Sequence, residues 1–152
     1  MKLKRYLLVL LFMACVGAIS AQSQLYDKYS EMENVTTVYL SKAMLGFTPS
    51  VDGLNMTKVA KKLDAIVILT TEKKETAQLL KADLVKLLST GVYKALMKVK
   101  DEGDHVSFMI KEKDNKVQEL LMLVEEKEEM TVIQMIGDIN LEDVQSIMQD
   151  GK

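Results

Sequence analysis

The pattern of apolar and polar residues predicts helices and strands in the first half of the chain and four successive strands in the second. Apolar residues three and four positions apart are typical of one helix face, and strict alternation is typical of a half-buried strand. The continuous apolar run 65–69 is typical of a strand buried on both faces. The predicted elements are a helix at 25–32, a strand at 35–40, a helical turn at 41–46, a helix at 56–63, a strand at 65–69, a helix at 72–90, strands at 93–100, 106–110, 117–124 and 130–137, and a helix after Asn140.

The four C-terminal strands are separated by short polar turns, including 101–104 and 113–116. Strands that follow one another through short turns pair as an antiparallel meander. We therefore predict an α+β fold with a largely antiparallel sheet, a C-terminal four-strand meander and helices packed on the sheet. The two early strands are expected to join the same sheet through crossovers. No linker or repeat divides the chain, so residues 22–152 are predicted to form one domain.

Both faces of the strands at 117–124 and 130–137 are apolar, and each face therefore requires cover. One interpretation places the terminal helix, through Val144 and Ile147, over the second face. The other leaves a patch around Met109, Leu120 and Met122 partly open for a partner or a second copy of the chain. Methionine side chains adapt to irregular surfaces, which suits such a patch.

Residues 1–21 have the pattern of a cleavable secretion signal. Lys2, Lys4 and Arg5 precede an apolar run at 6–19, and a small residue, Ala21, follows it. This order predicts cleavage before Gln22 and export of the remaining chain. The apolar run is too short to span a membrane, and charged residues interrupt every later one, so no transmembrane segment is expected.

Cys15 is the only cysteine, and a lipoprotein would retain it as a lipidated first residue. Phe12 fits the lipidation pattern poorly, and the tether that would follow Cys15 is mostly apolar, so a lipid anchor is the less favoured alternative. Ordinary cleavage leaves a domain without disulfides. It also removes Lys2, Lys4 and Arg5, which changes the net charge from −2 to about −5 and eliminates the only arginine. An acidic domain without arginine is a poor candidate for nucleic-acid binding.

Candidate chemistry is sparse. His105 is the only histidine and follows the acidic turn 101–104, which lacks most of the ligands of a calcium loop. The acidic segment 125–129 lies in another predicted turn, where water surrounds the carboxylates and little separates their pKa values. We therefore assign no catalytic residue, no metal ligand and no cofactor.

Four segments resemble a known family: QLYDKY at 24–29, VYLSKAM at 38–44, LDAIVIL at 63–69 and IGDI at 136–139. They are similar to domain of unknown function family 4252, which comprises small exported proteins, chiefly of Bacteroidetes. The resemblance covers nearly the whole mature chain and implies a location in the periplasm or cell envelope. It implies no activity and no functional residues.

The missing catalytic motifs favour a non-catalytic, exported binding or interaction module. Its partner would be an envelope protein, a small ligand or, as a homodimer, a second copy. The alternative is a periplasmic hydrolase that depends on carboxylates. Two acidic residues that converge in a concave pocket, with separated pKa values, would favour the hydrolase.

Overall fold

A computed structural model describes residues 21–47, 50–51, 54–55 and 58–150. The predicted leader up to residue 20, including Cys15, lies outside the described residues. The elements are α1 (Ala21–Ser30), β1 (Thr36–Ser41), α2 (Lys42–Leu45), β2 (Ser50–Val51), β3 (Leu54–Asn55), a 3-10 turn (Ala60–Lys62), β4 (Leu63–Thr71), α3 (Lys74–Ser89), β5 (Lys94–Asp101), β6 (Asp104–Lys113), β7 (Lys116–Glu125), β8 (Met130–Ile139) and α4 (Leu141–Asp150).

Six of these strands form one sheet in the order β1-β4-β8-β7-β6-β5. Every neighbouring pair is antiparallel, and β5 to β8 form the predicted meander. The α+β prediction is therefore confirmed. β1 and β4 also join this sheet, with β1 directly beside β4, while α3 carries the chain from β4 to the far edge strand β5. The short strands β2 and β3 pair separately as a hairpin.

Two tight turns connect the strands of the meander where the sequence predicts them. Glu102 and Gly103 have φ angles of 46° and 105°, and Asp114 and Asn115 have φ angles of 53° and 62°. Two consecutive residues with positive φ match the right-handed twist of the flanking strands. Glycine, asparagine and aspartate are the residues that adopt this conformation at least cost.

One face of the sheet packs against α4, α2 and the 3-10 turn; we call it the α4 face. Val144 and Ile147 of α4 are fully buried against it, so the terminal helix covers the second face of the sheet. α4 begins directly after Asn140, as the sequence predicts. The Asn140 side chain caps this helix by accepting a hydrogen bond from the Asp143 N–H at 2.8 Å. The strand residues in this core are Leu63, Ile66, Ile68, Phe108, Ile110, Val117, Leu120, Ile133, Met135 and Ile139.

The opposite face packs against α1 and α3; we call it the α3 face. Tyr29 of α1 and Leu80 and Leu84 of α3 are buried against it. Side chains alternate between faces along a strand, so neighbouring residues of one strand contribute to different cores. The strand residues in this second core are Leu69, Met109, Leu121, Met130 and Val132.

The helix predicted at 56–63 is wrong. The described part of this segment contains only the 3-10 turn, in which the Lys62 N–H bonds to the Val59 carbonyl at 2.8 Å. Val59, Ala60 and Leu63 are buried, as the apolar spacing requires. However, Leu63 is already extended and pairs with Gly137 as the first residue of β4. This leaves too few residues for a regular helix before the strand begins.

Among the described residues, none of the helices combines the length and the apolar character that crossing a membrane would require.

Gly137 offers a direct test of this packing. A methyl group added at Gly137 would lie 2.7 Å from the Leu63 Cα and would also meet the Lys62 carbonyl oxygen, both of which are backbone atoms. We expect Gly137→Ala to lower the free energy of unfolding by about 1–3 kcal/mol, because the backbone must shift to admit it. Urea denaturation measures this loss.

Gly46→Ala is the matched control. Gly46 has ordinary helical φ and ψ angles, and among the described residues no atom beyond its chain neighbours lies within 4 Å of the added methyl. The change should alter stability by less than about 0.5 kcal/mol. Equal effects of the two substitutions would contradict the close approach of β8 to the start of β4.

Candidate functional site

Exposed apolar side chains are concentrated on the segment that contains β1 and α2. Ten large apolar side chains are exposed among the described residues, and four of them lie between positions 38 and 47. Phe47 is 84% exposed, Tyr39 57%, Met44 52% and Val38 37%. We call these four side chains the β1 patch. Large exposed apolar side chains that lie close in the sequence are candidates for a surface that binds a partner.

Val38 and Tyr39 lie on an uncovered edge strand of the sheet, whereas Met44 lies in α2 and Phe47 follows it. β1 pairs with β4 on one side, and no other strand of the described residues pairs with its outer side. Val38 belongs to the α4 face and Tyr39 to the α3 face, where its ring lies 6.1 Å from that of Tyr26. The sequence of β1, TTVYLS, carries no charge, no proline and no glycine. Such a strand retains unpaired backbone groups that a further strand can bond.

The other edge strand, β5, is protected. Its sequence, KALMKVKD, contains Lys94, Lys98 and Lys100, all exposed. Lysines on an edge strand discourage pairing with another chain, because they would have to be desolvated or placed beside like charges. A bulge at Leu96 also interrupts the alternation that the sequence indicates, so that Ala95 and Met97 face opposite sides.

The three residues of the predicted patch, Met109, Leu120 and Met122, are not brought together. Leu120 and Met122 lie on the α4 face, where Leu120 is fully buried and Met122 is half-buried against the core. Met109 pairs with Leu121 and is buried on the α3 face. The reason is the alternation of side chains: Leu120 pairs with Ile110, so the adjacent Met109 must point the other way.

A buried carboxylate lies on the α3 face near the start of β5. Glu119 is buried, and its Oε2 accepts a hydrogen bond from the Tyr93 hydroxyl at 2.7 Å. The Lys111 ammonium lies 3.8 Å from Oε1. Burial, together with the bonded carboxylate, raises the pKa of Tyr93. This arrangement gives a buried carboxyl group its hydrogen-bond partner and joins the residue before β5 to β7; it contains one carboxyl group rather than a catalytic pair.

A second tyrosine–carboxylate bond joins α1 to α3. The Tyr29 hydroxyl and the Lys28 ammonium each donate to Asp83 Oδ2 at 2.7 Å. Burial alone would raise the pKa of Asp83, but the hydrogen bonds from Lys28 and Tyr29 and the positive charges of Lys28 and Lys86 outweigh it. The pKa of Asp83 is therefore held below its ordinary value. The group anchors α1 to α3.

The acidic segment 125–129 forms one wall of a cleft of about 180 Å³ against α3. Lys81 of α3 forms an ion pair with Glu125, and Lys74 also lines the cleft. Partial desolvation and the neighbouring carboxylates of Glu126 and Glu72 raise the pKa of Glu129. The sequence predicts an exposed turn here and misses the cleft, because α3 is far from this segment in the chain.

His105 has a polar atom without a partner. Its Nδ1 is buried and makes no hydrogen bond within the part of the chain that the structure describes. The residue is half-buried on β6, opposite Glu125 of β7 and Lys100 of β5. No three His, Cys, Asp or Glu side chains among the described residues are grouped so that they could hold a metal ion.

The Asp83 group predicts how stability depends on pH. Because its folded pKa is lowered, it contributes stability above the ordinary carboxyl value of 3.8, and this contribution is lost as pH falls towards the folded pKa. We expect Asp83→Asn to lower the free energy of unfolding by about 1–2 kcal/mol at pH 7. Below about pH 4 the variant should lose less additional stability than the wild type, because the group that becomes protonated is absent. Urea melts from pH 7 to pH 3 provide the measurement.

Asp64→Asn is the control for that series. Asp64 also pairs with a lysine, Lys42, at 3.2 Å, but both side chains are mostly exposed. Exposed pairs contribute little, so this variant should follow the wild-type curve within about 0.5 kcal/mol. If Asp83→Asn followed the wild-type curve as well, the proposed link between α1 and α3 would be wrong.

Comparison with known proteins gives a family and no activity. No protein with curated function matches the chain. The model of a family described as a domain of unknown function, DUF4252, matches residues 29–147. The match begins at Tyr29 in α1, ends at Ile147 in α4 and includes all six strands of the sheet. The resemblance seen in the sequence is confirmed, and the chain belongs to the DUF4252 family.

Proposed function

We propose that the mature domain, residues 22–152, is a non-catalytic binding module of the bacterial cell envelope. The β1 patch carries the proposal, because a chain of this size leaves large apolar side chains such as Phe47 and Tyr39 in water at a cost that a bound partner removes. The partner is a protein rather than a small molecule. The patch includes an exposed edge strand, and the apolar pocket beside Tyr26 and Val67 has room for about one water molecule.

The envelope location rests on the leader. Lys2, Lys4 and Arg5, the apolar run and Ala21 are the features that a secretion signal requires. Cleavage before Gln22 yields a periplasmic or secreted domain, and lipidation at Cys15 would instead anchor it to a membrane leaflet.

The hydrolase alternative has one observation in its favour. Glu126 and Glu129 lie together at the cleft beside α3, and the pKa of Glu129 is raised. Both residues, however, are exposed at a turn. Acid–base catalysis by two carboxylates requires a pocket that separates their pKa values strongly and excludes water from one of them. The binding module is therefore the better supported function.

The location is tested on protein isolated from the producing cell. We expect N-terminal sequencing or mass analysis to find a chain that begins within about one or two residues of Gln22, as the position of Ala21 requires. An acylated Cys15 as the first residue would show that the domain is membrane-anchored. An uncleaved chain in the cytoplasm would contradict the envelope location.

The binding function is tested by capture from envelope extracts. We expect the tagged exported protein to retain a specific partner protein. Phe47→Ser should reduce the recovery of that partner roughly tenfold or more, since a Phe side chain buried in the contact contributes about 1.5–3 kcal/mol to the free energy of binding. Phe47 is exposed, so the melting temperature should not change. Quantitative mass spectrometry of the retained proteins measures recovery.

Val85→Ser serves as the matched control, because Val85 is 58% exposed on α3, away from the patch. It should retain the same protein as the wild type. Glu126→Gln combined with Glu129→Gln should also leave capture unchanged. If the partner is still captured by Phe47→Ser but not by the double glutamine variant, the binding site is the cleft beside α3 and not the β1 patch.

A further inference from the structure

The two edge strands of the sheet, β1 and β5, differ in charge. Three exposed lysines protect β5, whereas β1 carries no charge along its whole length and exposes Val38 and Tyr39. Edge strands without charge, proline or bulge pair readily with other strands. The chain therefore prevents pairing at one edge and permits it at the other.

We propose that β1 pairs antiparallel with β1 of a second copy, about a two-fold axis near Val38, which joins the two sheets into one. This inference rests on the proposed binding function and names the occupant of the β1 edge. An isologous contact of this kind closes on itself, because each copy offers the same strand to the other. The joined sheet would have β5 at both of its outer ends, so only lysine-protected edges would remain exposed.

The strand is compatible with its own copy in this register. Pairing about Val38 places Val38 opposite Val38, Thr37 opposite Tyr39 and Thr36 opposite Leu40. Directly opposed residues share a face, so Val38 and Leu40 stay on the α4 face and Tyr39 stays on the α3 face. Every pair is neutral, and β-branched and aromatic residues pair favourably across strands.

The self-paired register ends where the strand ends. Lys42 is the first residue of α2 and already forms an ion pair with Asp64, so the pairing involves only the neutral residues of β1. A self-pairing of β5 would be repulsive in comparison, because an axis at position 98 would place Lys98 opposite Lys98 and an axis at position 97 would place Lys94 opposite Lys100.

The test uses the exported protein purified from cells, with Cys15→Ser introduced to remove the only native thiol. We expect a dimer by light scattering. Val38→Lys places two ammonium groups opposite each other at the two-fold axis and should raise the dimer dissociation constant roughly tenfold or more, with little change in the melting temperature of the monomer. Val99→Lys is the matched control, since Val99 is a comparably exposed valine on the other edge, and it should remain dimeric.

Val38→Cys reports the register. Directly opposed residues of antiparallel strands have Cα atoms about 4.5–5.5 Å apart, within the range that a disulfide spans. Mild oxidation should therefore link the Val38→Cys protein into covalent dimers and leave the Val99→Cys protein unlinked. A wild-type monomer at high concentration, a dimer that persists in Val38→Lys, or equal linkage at both positions would overturn the inference.

The outcomes also separate this inference from the proposed function. A monomer that captures an envelope protein through Phe47 overturns the second-copy pairing and leaves the binding module standing. A dimer linked at position 38 that captures no other protein supports the pairing and removes the envelope partner from the proposal.

Discussion

The constraint on which the architecture depends is that the central strands are apolar on both faces. In β4, Ile66 and Ile68 point to the α4 face, and Val67 and Leu69 point to the α3 face. Neither face can remain in water, because each side chain buried contributes about 1.5–3 kcal/mol. The chain therefore divides its helices between the two sides. The positions of α1, α3 and α4 follow from this requirement more than from their own helical propensities.

The sequence predicts this framework well because its signals are local. The apolar run at 65–69 indicates a doubly buried strand, and the residues at the two tight turns indicate hairpins, so the sheet class and the meander can be read directly. The helix at 56–63 fails because Val59, Ala60 and Leu63 satisfy a helical spacing and a turn followed by a strand equally well. Only the long-range pairing of Leu63 with Gly137 decides between them.

The candidate site could be predicted less well, for two physical reasons. A face prediction that extends over several strands depends on the exact register, and the register places Met109 and Leu120 on opposite faces. The sequence does not indicate the β1 patch, because TTVYLS has the composition of an interior strand. Its exposure arises from its place at the end of the strand order, which depends on pairing between distant segments. The absence of charge in β1, set against the lysines of β5, was the one local signal available.

The pairing of β4 with β8 has a consequence for how the chain is made. β4 ends at Thr71, but the strand that completes its hydrogen bonding begins at Met130. The chain is synthesised from its N-terminus, so β4 is made well before the strand that completes its hydrogen bonding. Non-local strand pairing of this kind slows folding and extends the period in which aggregation competes.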